Sequence, residues 1–258
     1  MNPLSQLETF QPITLAELDA KANMLTRLDN KYIVREAISA AGVSKLKAAF
    51  DILTIGNRRC FQYQSIYFDS GELCFKEYLQ GKRQRFKART RVYQDSENLA
   101  FFEVKLSGKG QTEKFRIRCD VSLHGVLSPD FLEFLQNTYY RQYKKTFPYN
   151  LNPAVTTSYQ RVTLVAKDGG ERLTIDYDLV FMVGEEFIIL PKNLAILETK
   201  SLNGNGLADK VLRLEHIRAV DGCSKFGLAM ALSGKVRKYN KFLPLIKKHF
   251  QVSPVTVA

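Results

Sequence analysis

The sequence predicts an α+β chain dominated by antiparallel sheet. Between about residues 60 and 201 most of the chain alternates apolar and polar side chains with period two, and the helical period is confined to segments before, within and after that stretch. The 258 residues, 45% of them hydrophobic, suffice for a sizeable core, and no repeat, low-complexity tract or linker divides them. One domain over residues 1–258, with its core from about 24 to 235, is expected.

A short helix is expected over Leu15–Asn23, a strand over Met24–Val34, and an amphipathic helix from about Arg35 to Phe50, where Ile38, Ala41, Leu46, Ala49 and Phe50 share a face. Strands follow in CFQYQSIYFD (60–69), RFKARTRVYQ (85–94), AFFEVKLSG (100–108) and TEKFRIRCD (112–120). Turn residues at Asp95-Ser96-Glu97-Asn98, Ser107-Gly108-Lys109-Gly110 and Asp168-Gly169-Gly170 make the pattern mostly a meander. A helix over Pro129–Lys145 interrupts it before AVTTSYQRVTLVA (154–166), ERLTIDYDLVFMV (171–183) and LAILETKS (194–201) resume it. Helical patterns over Leu207–Ile217 and Ser224–Lys235, the latter with Ser224 as N-cap, come last; the basic run from Lys235 to Lys248 reads as a solvated tail.

Lys and Arg number 38 against 26 Asp and Glu, a formal charge of +12 that favours an anionic partner: phosphate chains, nucleotides, nucleic acid or anionic lipid. The four cysteines and three histidines are scattered, which argues against a zinc site or a disulfide framework and for a reducing compartment. The start shows no basic-then-apolar leader, and no apolar run approaches the roughly 18 residues of a membrane span. A cytoplasmic protein is expected.

Alternation places Arg85, Lys87, Arg89 and Arg91 on one face of a single strand, with Phe86, Ala88, Thr90 and Val92 on the other. Like charges on one face repel unless something negative lies among them. Charge recurs on one face at Glu103 and Lys105; at Lys114, Arg116 and Arg118; at Arg161 beside Tyr159; at Arg172 and Asp176; and at Glu198 and Lys200. Each stripe alone is more often a solvated strand face than a site. Together they leave two architectures: a sandwich with a basic exterior, or a sheet closed on itself with a charged lumen, which would have to serve a function to offset its desolvation.

Arg27-Leu28-Asp29-Asn30-Lys31-Tyr32-Ile33-Val34, Ser65-Ile66-Tyr67-Phe68-Asp69, Lys87-Ala88-Arg89-Thr90-Arg91-Val92-Tyr93 and Phe102-Glu103-Val104-Lys105, followed in order by Thr157-Ser158-Tyr159-Gln160-Arg161, Leu197-Glu198-Thr199-Lys200 and Ser224-Lys225-Phe226, resemble the VTC domain of polyphosphate polymerases, a branch of the triphosphate tunnel metalloenzymes. The resemblance implies a closed antiparallel tunnel of about eight strands lined by lysine and arginine and flanked by helices. It implies a phosphotransferase that extends inorganic polyphosphate from ATP with Mn2+ or Mg2+, and a possible membrane-protein partner. Residue by residue, it implies catalytic roles for Lys31, Arg89, Arg91, Lys200 and Lys225, phosphate contacts for Lys105, Lys114, Tyr159, Arg161 and Arg172, and a metal-binding role for Glu198.

Tunnel triphosphatases open with Glu-x-Glu-x-Lys, whereas Arg27-x-Asp29-x-Lys31 stands here. The base in place of one acid disfavours hydrolysis and favours transfer to another phosphate. Phosphoryl transfer has a loose transition state, so it asks for alignment and fixed positive charge more than for a nucleophilic side chain. A triphosphate or nucleoside triphosphate hydrolase and a non-catalytic polyphosphate-binding module are the alternatives. Nucleic acid is not expected, because no helix-turn-helix or RNP-type motif appears.

Overall fold

The computed structural model describes residues 7–21, 28–35, 38–95, 99–108 and 111–250. Arg27, the expected strand start at Met24 and the turn residues 96–98 and 109–110 lie outside the described residues. In chain order the elements are β1 (Pro12–Ile13), α1 (Leu15–Lys21), β2 (Leu28–Val34), α2 (Ala40–Ala49), β3 (Phe50–Leu53), β4 (Phe61–Asp69), α3 (Leu73–Leu79), β5 (Arg85–Tyr93), β6 (Ala100–Gly108) and β7 (Gln111–Cys119). They continue with α4 (Pro129–Tyr143), β8 (Asn152–Ala166), β9 (Glu171–Val183), β10 (Glu186–Ile189), β11 (Ala195–Ser201), α5 (Leu207–Leu214), α6 (Lys225–Leu232) and α7 (Leu243–His249). The strands pair in the order β2-β11-β9-β8-β4-β5-β6-β7, a path with β2 and β7 at its ends. The α+β class and the antiparallel sheet are therefore present, whereas no pairing of β2 with β7, which would close the sheet on itself, occurs among the described residues.

The chain forms two compact units, each assembled from several segments: Met1–Phe61 with Tyr159–Leu179 and Leu190–Cys223, and Gln62–Ser158 with Val180–Ile189 and Ser224–Ala258. In the first, β11 is the centre of an antiparallel trio, pairing Glu198 with Lys31 of β2 and with Thr174 of β9. The face opposite Glu198 is apolar: Tyr32, Leu197, Leu173 and Tyr177 pack with Ala208, Val211 and Leu212 of α5 and Leu46 of α2. Glu171 anchors α5 by accepting from the amides of Leu207 and Ala208, both at 2.8 Å. A side chain at Gly206 would meet that carboxylate at 2.3 Å, so only glycine allows the approach.

In the second unit β4, β5, β6 and β7 form the expected meander. Phe86, Ala88 and Val92 of β5 and Phe102, Val104 and Leu106 of β6 are buried on one side. α4 covers that side: Ser128 caps it by accepting from the Phe131 amide, Pro129 fits its first turn, and Phe131, Leu135, Tyr139 and Tyr143 recur at helical spacing and are buried. Phe131 stacks on Phe102 at 4.5 Å, and the Tyr143 hydroxyl lies within hydrogen-bonding distance of the Arg85 and Ser107 carbonyls. One face of β5 is thereby pinned, and the arginine and lysine side chains hold the other.

Several expectations are corrected. The helix expected from Arg35 begins at Ala40, because Ser39 caps it, and Phe50 belongs to β3 rather than to the helical face. The basic C-terminal run is not a loose tail: Phe242 is fully buried, stacking on Phe75 at 5.7 Å, α7 buries Leu245, and Lys235 donates to the Val183 carbonyl. α3 was not foreseen; Asp69 starts it by accepting from the amides of Ser70 and Cys74, a cap hidden in a segment too short to display a period. The hairpin of β9 with β10 was missed as well, since Phe187 and Ile189 of its second strand are exposed and give no alternation toward a core.

Candidate functional site

The second unit carries its cations in cross-strand rows. Register places Lys87 opposite Lys105 and Lys105 opposite Lys114, so three ammonium groups run across β5, β6 and β7. The next row is Arg89, Glu103, Arg116, and the next Arg91, Phe101, Arg118. Direct cross-strand lysine pairs destabilise a sheet, and Glu103 is the single carboxylate in these rows. It is 2% exposed. Arg89 donates to it through Nε at 2.7 Å and through Nη2, while its Nη1 donates to the Tyr67 hydroxyl at 2.7 Å. Lys114 donates to the other carboxylate oxygen, and Arg91 donates to Ser65.

Burial opposes ionisation of Glu103, yet the charges of Arg89, Arg91 and Lys114 outweigh it and hold the carboxyl well below the usual carboxylate range. Lys114 responds in the opposite sense. Loss of hydration pushes it down to about 7, with Arg89 and Arg91 adding to the drop and Glu103 resisting it, although its side chain as a whole keeps 43% of its exposure. This lysine therefore holds its proton less firmly than an ordinary lysine, and a phosphate oxygen beside it would favour the charged form. We expect triphosphate binding at pH 8 to take up a proton that the Lys114→Gln variant does not, measured by titration calorimetry in buffers of different ionisation enthalpy; equal uptake in both proteins would contradict this.

In the first unit Glu198, Lys200 and Lys31 come together: Lys200 lies 2.7 Å and Lys31 3.6 Å from Glu198 Oε1. Lys200 also donates to Asp29 at 3.1 Å. Burial works against the charge on Glu198, but Lys31 and Lys200, with Arg161 beyond them, hold it ionised and well below its ordinary pKa. Arg161 forks onto Asp176 with bonds of 2.6 and 2.8 Å and lies over the Tyr159 ring at 5.3 Å; Tyr159 itself is buried. Arg172 sits opposite Lys200 in the same register.

Of the residues singled out from sequence, Lys31, Tyr159, Arg161, Arg172, Glu198 and Lys200 belong to the first unit, and Arg89, Arg91, Lys105, Lys114 and Lys225 to the second. Lys225 opens α6 behind its cap Ser224, which accepts from the Gly227 amide and lies 3.4 Å from Lys87 Nζ. Sequence reading gave no site role to Glu103, Asp176, Tyr67 or Ser65. The signal for the first two was available in principle: each is the acid that its strand places on the cationic face.

The metal expected at Glu198 can be tested against this arrangement. No group of three or more His, Cys, Asp or Glu side chains that could hold an ion occurs among the described residues. Glu198 still fits a hard divalent ion that takes one protein carboxylate and completes its shell with phosphate oxygens and water, because its contacts fall on Oε1 and none is made by Oε2 among the described residues.

The profile of the VTC domain family matches residues 26–233. No curated protein matches the chain. Among solved structures, the putative adenylyl cyclase HpAC1 from Hippeastrum, described as having a dominant triphosphatase activity, is 14% identical with a TM-score of 0.47, covering 82% of this chain and 97% of its own. The PH1819 protein from Pyrococcus horikoshii OT3 is 11% identical with a TM-score of 0.41, covering 80% and 99%.

Proposed function

Because the chain belongs to the VTC domain family, we propose that it is a metal-dependent phosphotransferase that moves the γ-phosphoryl group of ATP onto a growing polyphosphate chain, in a tunnel of the family's type and in the cytoplasm. The observation that supports a polyanionic substrate most directly is the cross-strand row Lys87, Lys105, Lys114. A row of like charges is tolerable when an extended anion runs along it, and a linear chain of phosphates offers one charge or more per unit.

Arg89, Arg91 and Arg161 are suited to gripping phosphate oxygens through paired N–H groups, and the lysines to supplying point charge along the chain. Arg89 and Arg161 are already oriented by Glu103 and Asp176, so ligand binding does not have to order them. Glu198, with Asp29 near it through Lys200, would hold Mn2+ or Mg2+, which when bound neutralises charge on the phosphate oxygens. The site needs no nucleophilic side chain, since the attacking oxygen belongs to the acceptor phosphate.

Hydrolysis of triphosphate is the second reading, and the pair Asp29 and Glu198 favours it: two acids on one face could position a water as well as an ion. Incubation with ATP and MnCl2, followed by gel analysis of polymer and assay of free phosphate, separates the readings. Long-chain polyphosphate is the expected product. Free phosphate without polymer would establish the hydrolase, and tight triphosphate binding with no product a binding module.

A further inference from the structure

Asn30 and Tyr32 alternate with Lys31 on β2 and therefore face away from the cation cluster, toward α5. There they form the floor, with Asp209, of a cavity of about 520 Å³ whose rim is Arg213, His216 and Arg218. That volume suits a small organic ligand and exceeds what a bare anion fills.

The floor carries a carboxylate whose charge is already answered. Asp209 accepts from Tyr32 Oη at 2.5 Å, Asn30 Nδ2 at 2.9 Å, Thr199 Oγ1 at 2.6 Å and the Gly206 amide at 2.9 Å. The other acid of this region, Glu215, is turned to the start of α2, accepting from the amide and hydroxyl of Ser39. The rim is left basic. Arg213 donates to Asn205, while among the described residues the side chains of His216 and Arg218 make no hydrogen bond or ion pair.

The backbone at His216 makes its presence harder to explain as packing. α5 ends in a Schellman motif, with the His216 amide donating to the Arg213 carbonyl at 3.0 Å and the Ile217 amide to the Leu212 carbonyl at 2.9 Å. His216 occupies the left-handed position of that motif, at φ 59°, where glycine is the unstrained choice. Arg213 in the last turn and His216 at the helix end both complement the helix dipole, and His216 lies within electrostatic reach of Glu215, whereas Arg218 lies beyond the helix.

We propose that this cavity is a second ligand site, which takes a small phosphate-bearing molecule: Arg213, His216 and Arg218 hold the phosphate, and the rest of the molecule lies over the floor of Asn30, Tyr32 and Asp209. It is built from residues other than those assigned to phosphoryl transfer, so it stands or falls separately from that reading.

The chain has three histidines, so the His216 imidazole resonances can be assigned by their loss in His216→Gly. Titration with inorganic phosphate should shift them saturably, and ribose 5-phosphate should do so at lower concentration. Arg218→Ala should weaken both by roughly tenfold, the worth of a charge-assisted bidentate contact. No shift up to millimolar ligand, or the same titration in Arg218→Ala, would overturn the proposal. His216→Gly adds a second check: relieved of strain, it should melt no lower than wild type, and a lower melting temperature would make the imidazole a structural group instead.

Discussion

Replacing Arg89 by lysine should lower the rate of the proposed phosphoryl transfer by about 10² to 10³, the usual cost of removing one preorganised donor from developing charge, while the melting temperature stays within a few degrees of wild type. Arg89 bonds both the buried Glu103 and the Tyr67 hydroxyl, so its guanidinium plane is fixed by two neighbouring strands. Lysine keeps the charge and can still meet Glu103, which protects the fold, but its compact ammonium lacks the planar fork that aims separate N–H groups at acid, phenol and phosphate. The loss should appear chiefly in kcat, because the lysine row beside it still supplies uniform attraction for the polyanion. Steady-state kinetics on the variant decide it: a rise in KM with kcat unchanged would make Arg89 a binding residue only, and a collapse of the melting temperature would make it a structural one.

The alternation that exposed Arg85, Lys87, Arg89 and Arg91 as a stripe also placed each strand of the meander close to its observed limits, since period two is imposed by the pleat and survives in any register. What alternation does not contain is which stripe lies beside which. The pairing of Arg89 with Glu103 depends on the length of the β5–β6 turn, and a shift of one residue would have set Arg89 against an apolar neighbour. That is why Glu103 read as an ordinary strand acid although it is the buried centre of its cation cluster. The second cavity was illegible for a related reason: Arg213, His216 and Arg218 share neither a helical face nor a strand face, and only the Schellman turn after α5 brings them to one rim.

Glu103→Gln should destabilise the protein by about 2 to 4 kcal/mol, at the upper end for one side chain, because removing the acid of a buried ionic cluster leaves its cations uncompensated. Arg89 keeps 20% of its side-chain exposure and Lys114 43%, so water recovers part of the cost and the full penalty of a wholly buried pair is not reached. The sign with pH follows from the depressed carboxyl. Its stabilisation is complete above the unfolded-state value near 4.3 and is lost as the solution is acidified below it, so the difference between wild type and Glu103→Gln should shrink in acid. Added polyphosphate supplies the missing negative charge to Arg89, Arg91 and Lys114, and should raise the melting temperature of the variant by more than it raises that of the wild type. Denaturant unfolding with and without polyphosphate measures this directly. An equal rise in both proteins would mean that the polyanion does not enter the place Glu103 holds, and that the cations of β5 to β7 are organised for the sheet and not for a substrate.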